Sequence, residues 1–333
     1  MLFAFDRYTG TIEKEAVNVI SCTEFIPAYS AFFSFLEARH GHGAVKRFWE
    51  LLFTPDGKGI PLVLFVERSG IRGCYEYWSH SLNEEAADFT MYLNEKRGFF
   101  RIEMHHCPSK GRLLDLKQAG GPEPYPYYCL HCDYYRGAVE KCGLKYVYDF
   151  THTDKAACSI LIYDPKIFDG RVIVDEDTEI MDRKASQNEY FHRDFHHSLD
   201  RCVRFVGESY GDGEVRELLA YYAETVLGGL IEQIKEKGLA PLEAYIRATY
   251  EKEKAPDAVF TEIDGDKLTV RVAYCPAVKH LREHGHEVSP WFSATTEYVM
   301  ATIAEKSGLQ FEMSAYDDQT GQTAYRFRKE NAK

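Results

Sequence analysis

The stretches FSFLEARHGHGAVKRF, residues 33–48, and VRFVGESYGDGEVREL, residues 203–218, are two versions of one pattern. They align Phe35 with Phe205, Gly41 with Gly211, Gly43 with Gly213 and Val45 with Val215, all separated by 170 positions. Downstream, Gly70 matches Gly238, Tyr77 matches Tyr245, and Cys107-Pro108 matches Cys275-Pro276, at a separation of 168. EKCGL at 140–144 then matches EKSGL at 305–309, at 165. The separation falls in two steps and never rises, the trace that loop deletions leave in a duplicated chain. The sequence therefore divides into a first repeat over 1–165, a linker over 166–190, and a second repeat over 191–333. The linker contains RVIVDED at 171–177, a candidate leading strand of the second repeat and counterpart of LFAFDR at 2–7.

A pattern seen twice constrains the secondary structure more than one seen once. Helical periodicity covers 24–39 and 43–54 in the first repeat, and 191–209 and 213–236 in the second. HGHG and YGDG break these helices, with glycine supplying the unusual dihedrals. A third helix follows near 71–83 and 240–253. A strand, 98–106 or 267–274, ends at Cys-Pro, and a loop leads to a helix at 126–142 or 290–307. That helix stops at Gly143 or Gly308, the favoured residue just past a helix end. Two strands close each repeat, 144–150 with 156–163 and 309–316 with 322–328, joined by turn-rich FTHTDKA and YDDQTGQ. The fold class is α+β: two tandem copies of a unit with N-terminal helices and a mainly antiparallel sheet crossed by a helix.

The chain has 333 residues, 45% of them apolar and 28% charged, which is ordinary for a globular protein of two domains. A net charge of −12 argues against a phosphate-backbone partner, which needs clustered Lys and Arg. No apolar run approaches the roughly 20 residues that span a bilayer, so no membrane partner is expected. MLFAFDRYTG at the start lacks the basic-then-apolar pattern of a secretion signal. Nine cysteines, an odd number in a long chain, favour reduced thiols and a cytoplasmic location. Nothing in the sequence fixes an oligomeric state.

Strand alternation places Phe100, Ile102, Met104 and His106 on one face, the buried one, and Arg101, Glu103, His105 and Cys107 on the other. Cys158, Ile160 and Ile162 share an inward face of the last strand. On an α-helix Cys129, Cys132, Asp133 and Arg136 form one stripe. His131 lies about 200° around from Cys129 on such a helix and points away, unless CLHCD precedes the first full turn.

Five of the nine cysteines lie between Cys107 and Cys158, with His105, His106, His131 and His152 in the same stretch. In the second repeat Cys129, Cys132, Cys142 and Cys158 become Ala294, Glu297, Ser307 and Thr323, and only Cys107 keeps its counterpart, Cys275. Three readings stay open. Cys129-x-x-Cys132 is a zinc half-site that Cys107, Cys158 or a histidine would complete. Cys107, one alternation from His105, suits a nucleophilic thiolate. Buried cysteines also serve as small apolar residues. His192 and His196, four apart, suit either a metal or a polar helix face. No phosphate loop, G-x-S-x-G or H-E-x-x-H motif is present.

HHCP at 105–108, YYCLHCD at 127–133, the helix ending in KCGL and the closing hairpin with Cys158 resemble the L-2-amino-thiazoline-4-carboxylic acid hydrolase family. The likeness covers about 25–160 well and 191–330 more faintly, and extends broadly to vinyl-reductase-type ligand-binding domains. It implies hydrolytic opening of a small cyclic C=N substrate to an N-carbamoyl amino acid. It also implies roles in the first repeat. Cys107, His105 and Asp133 would be catalytic, and Arg101, Arg136 and Tyr128 would bind the substrate. Cys129, Cys132 and Cys158 would hold zinc, the one cofactor expected. The tandem arrangement, with a second repeat degenerate in cysteine, departs from the single-domain family pattern. The rival expectation is a non-catalytic small-molecule-binding or sensor module with a structural cysteine or zinc site.

Overall fold

The computed structural model describes residues 25–53 and 61–329; the LFAFDR segment lies outside the described residues. The first repeat contributes helices α1 (Phe25–His40), α2 (His42–Phe53), α3 (Pro61–Ser69) and α4 (Ile71–Glu84). Strands β1 (Asp88–Asn94) and β2 (Phe99–His106) follow, then α5 (Pro108–Gln118), a 3₁₀ turn over Tyr128–Tyr134, and α6 (Tyr135–Lys141). Strands β3 (Lys145–Asp149) and β4 (Cys158–Tyr163) close the copy, and β5 (Glu179–Arg183) comes after it. The same order returns as α7 (Phe195–Tyr210), α8 (Asp212–Val226), α9 (Gly228–Lys237), α10 (Ala240–Lys252), β6 (Val259–Asp264) and β7 (Lys267–Val272). It ends with α11 (Pro276–Glu283), α12 (Ala294–Ser307), β8 (Leu309–Met313) and β9 (Thr323–Lys329).

Both sheets are antiparallel and share one topology: β3-β4-β2-β1 with β5 added at the edge, and β8-β9-β7-β6. Their registers agree residue by residue. Met104 pairs with Cys158 as Val272 pairs with Thr323, and Phe100 pairs with Ile162 as Leu268 pairs with Phe327. The fold is α+β, two tandem copies of one unit.

The first sheet buries Met91, Leu93, Phe100, Ile102 and Ile162 against Trp78 and Leu82 of α4, Val66 of α3 and Val139 of α6. Leaving Thr90 aside, the alternation then exposes Arg101, Glu103 and His105 to varying degrees on the outer face. In the second copy Leu268, Val270, Tyr325 and Phe327 are buried, and α12 packs on β8 while α10 packs on β6. Gly41 and Gly211 join successive helices at φ 75° and 90°, a region that L side chains avoid.

Four local expectations are corrected. The periodicity over 213–236 is two helices, broken at Leu227, whose N–H closes α8 on the Ala223 carbonyl. A further strand, β1 or β6, precedes the Cys-Pro strand and pairs with it. The segment after Cys-Pro is not a loop: proline at the first helical position starts α5 and α11. His106 is exposed rather than buried, its ring lying where a side chain on Gly111 would stand, 2.2 Å from that Cβ position.

The described residues gather into two compact units, His42–His192 and residues 25–41 with 193–329. Packing and repeat boundaries therefore differ at two places. Helix α1 comes from the first repeat by sequence, yet packs on α7 and α8. Its apolar surface (Phe25, Ile26, Phe32, Phe33 and Leu36 are all buried) requires such cover. Phe32 meets Tyr222 at 6.0 Å, and Arg39 and His40 both bind Glu214. In the 166–190 segment, β5 pairs with β1 of the first sheet. Asn94 explains the attachment: fully buried, it donates to Asp175 at 2.8 Å and to Thr178 at 2.9 Å, and Arg97 clamps Asp175 at 2.6 Å. No described helix is long and apolar enough to cross a membrane.

Gly73 of α4 packs directly on α3, and a Cβ there would stand 2.2 Å from the Phe65 carbonyl oxygen. Alanine gains about 1 kcal/mol of helix propensity, but pushing two backbones apart costs about 1–3 kcal/mol or more. Gly73→Ala is expected to lower stability by a net 1–2 kcal/mol or so in urea unfolding, where propensity alone predicts a gain.

Candidate functional site

The cysteine-bearing segment is a 3₁₀ turn rather than an α-helix, and that difference decides what its side chains can do. The prolines of PEPYP at 122–126 lead into it, and Tyr128 and Leu130 donate to the carbonyls three residues back, Tyr125 and Tyr127. Residues three apart eclipse on a 3₁₀ helix. Cys129 therefore lies over Cys132, and His131 over Tyr128, whose ring centroids are 5.0 Å apart. The stripe expected from α-helical spacing does not form, and His131 joins the cysteines.

His131 Nδ1 hydrogen-bonds the Tyr128 carbonyl. A carbonyl only accepts, so Nδ1 carries the proton and Nε2 presents its lone pair. That lone pair is 3.7 Å from Cys132 Sγ, whose thiol donates to it. Burial holds the His131 pKa down at about 4, partly opposed by the Tyr128 carbonyl. The imidazole is neutral at neutral pH, and burial disfavours its protonated form.

Cys107, Cys129, Cys132 and Cys158 come within electrostatic reach of one another. Burial is the main cause of a raised pKa at each. Neighbouring thiols add to it: Cys158 acts on Cys107, Cys129 on Cys132, and Cys129 on Cys158, which is pushed up to about 12. Three side chains pull the other way. The Lys110 ammonium and the Thr153 hydroxyl lower Cys129, and the Tyr148 hydroxyl lowers Cys158. Tyr148 is itself raised by burial and then by all four thiols, which puts it within electrostatic reach of each. Among the described residues, no set of three or more His, Cys, Asp or Glu side chains is arranged to hold a metal ion.

Cys107 ends the strand by capping α5, with its sulfur accepting from the Lys110 amide at 3.4 Å. Alternation therefore stops one residue early. The Cys107 thiol turns to the other cysteines, whereas His105 stays on the outer face, 2.7 Å from Thr90, which donates to Asp182. Arg101 is also outside and pairs with Glu103 at 2.8 Å. Asp133 and Arg136 bind each other at 2.7 Å, and Arg136 also donates to the Tyr146 carbonyl. Tyr128 is buried beside His131. The expected residues thus sort into an inner set (Cys107, Cys129, Cys132, Cys158 and Tyr128) and others engaged elsewhere.

Besides Tyr148 and Lys110, sequence reasoning missed Glu85. Glu85 caps α4 through its backbone N–H, which donates to the Asn83 and Ser81 carbonyls, and burial raises the pKa of its carboxyl, with His192 and Arg112 opposing. Ser109 donates to it at 3.4 Å, and its charge acts on Cys107 and Cys132. The 168-residue separation carries Glu85 onto Glu253, which caps α10, acts on Cys275 and takes a 2.9 Å hydrogen bond from His196. A glutamate facing the Cys-Pro cysteine is thus common to both copies, and the signal was in the alignment. His192 and His196 part company: His192 binds Glu84 at 2.6 Å, and His196 binds Glu253. No protein-family model, curated protein or solved structure matches the chain.

The neutral His131 has a consequence for stability. Its folded pKa of about 4 lies below the ordinary 6.5, so the unfolded chain binds its proton first. Its contribution is whole above pH 6.5 and is lost as the pH falls toward 4. His131→Gln is expected to flatten the dependence of urea-unfolding free energy on pH across that window.

Proposed function

We propose that the first unit is a cysteine-dependent hydrolase-like site for a small cyclic C=N substrate of the thiazoline-carboxylate type. Cys132 is the nucleophile and His131 its base. One observation carries this reading: the Cys132 thiol, the His131 imidazole and the Tyr128 carbonyl form a nucleophile, base and orienter in series. Cys107, the nucleophile expected from alternation, instead accepts an amide hydrogen bond and feels the Glu85 carboxyl, neither of which removes its proton.

The steps follow from that arrangement. His131 takes the Cys132 proton as sulfur adds to the C=N carbon, and the imidazolium returns it to the ring nitrogen. The ring carbon–sulfur bond breaks, and the departing sulfur takes the proton from the ring nitrogen to become a free thiol, leaving an isothiourea on Cys132. Water, deprotonated by His131, adds to the same carbon, and Cys132 leaves with a proton, releasing an N-carbamoyl product. Lys110 would attract the substrate carboxylate, and its ammonium's effect on Cys129 supports that role. Arg101 is committed to Glu103.

Ring opening frees a thiol, so turnover of 2-amino-thiazoline-4-carboxylate is read directly with a thiol reagent after separating protein from product. Cys132→Ser and His131→Ala are each expected to lower kcat/KM by about 10²–10⁴, and Lys110→Gln to act mainly on KM. Turnover that survives Cys132→Ser overturns the assignment. Saturable binding without product favours a ligand-binding module.

A further inference from the structure

The cysteine turn also has the layout of a redox couple. Eclipsing on the 3₁₀ turn places Cys129 and Cys132 one above the other. Both are free thiols and neither is fully buried. Their surroundings differ in a way that assigns two roles. Burial raises the Cys129 thiol, but the Lys110 ammonium and the Thr153 hydroxyl partly offset that, a help that Cys132 lacks. Cys132 has a proton acceptor in His131 Nε2, at 3.7 Å. Ala294 and Glu297 stand at these positions in the second copy, so the couple belongs to the first unit.

The geometry points to Cys129 and Cys132 as a dithiol that closes to a disulfide when it meets a peroxide. The Cys129 thiolate attacks one peroxide oxygen, the O–O bond breaks, and Cys129 becomes a sulfenic acid as hydroxide departs and is protonated to water. His131 then takes the Cys132 proton while the Cys132 sulfur attacks the sulfenic sulfur. The S–O bond breaks, and the hydroxide leaves as a second water with the proton from His131. Two thiols and one peroxide thus give one disulfide and two waters. If Cys132 is also the hydrolytic nucleophile, a point that rests on the function proposed above, closure silences that reaction reversibly.

Hydrogen peroxide is the probe, applied to the reduced full-length protein before remaining thiols are blocked with N-ethylmaleimide. Residues 118–136 form one tryptic peptide with both cysteines, since Lys117 and Arg136 bound it. This peptide is expected to lose the mass of two hydrogens, with complete restoration by dithiothreitol. In Cys132→Ser the disulfide is lost and dimedone labels Cys129; in Cys129→Ser the peptide forms no disulfide. The proposal is overturned if the wild-type bond maps to Cys107 and Cys158. It is also overturned if dimedone traps Cys132 first, or if both turn thiols remain alkylable after added glutathione has been oxidised. The readout is mass rather than turnover, so an absent hydrolytic activity leaves this test intact.

Discussion

In both copies the Cys-Pro dipeptide turns a strand into a helix, and the chemistry of the first unit depends on how that turn is tied. Proline fixes its own φ and starts the helix, while the cysteine before it stays extended. The cysteine amide donates to the loop before the last strand, Cys107 to Ala156 at 2.6 Å and Cys275 to Thr320 at 2.8 Å. The cysteine carbonyl accepts from within the new helix, from Gly111 or Lys279. Strand, helix and hairpin are thereby locked at one point. In the first unit that point brings the Cys107 thiol within electrostatic reach of Cys158 and Cys129.

The sheet was legible in sequence where one face is apolar and the other polar, and the repeat doubled the signal. Strand β1 was not, because its outer face is partly covered as well. Thr90 and Asn94 are buried under a polar network with Asp182, Asp175 and Thr178, so burial does not alternate. Helix α5 buries only Pro108, Gly111 and Leu113, too few to mark a stripe. The candidate site was half legible. Cysteine spacing located the turn, but whether it is a 3₁₀ or an α-helix sets His131 beside Cys132 or away from it, and composition does not encode that choice. Glu85 was legible only through its repeat counterpart Glu253, because tertiary packing decides whether a carboxyl at a helix end is buried.

The two copies have kept the same frame and diverged in what fills it. Met104 opposite Cys158 became Val272 opposite Thr323, with the backbone register unchanged. The Cys-Pro cysteine and the glutamate facing it persist on both sides. In the second copy that glutamate is hydrogen-bonded to a buried histidine, and in the first it faces several thiols. Burying a carboxyl costs several kcal/mol unless it stays protonated or finds a partner. The two copies have met that cost in different ways.

Helix α1 has a consequence in time rather than in space. Its partner on α8, Glu214, lies 175 positions after Arg39. A ribosome adding about 5–20 residues per second needs roughly 9–35 s to cover that interval. Until α7 and then α8 are made, the nascent chain carries Phe25, Phe32, Phe33 and Leu36 without the surface that covers them. The residues from His42 onward can meanwhile fold, since the unit they build ends at His192. Synthesis of this chain thus leaves a finished unit trailing an apolar N-terminal helix, the species that a chaperone would meet on the ribosome.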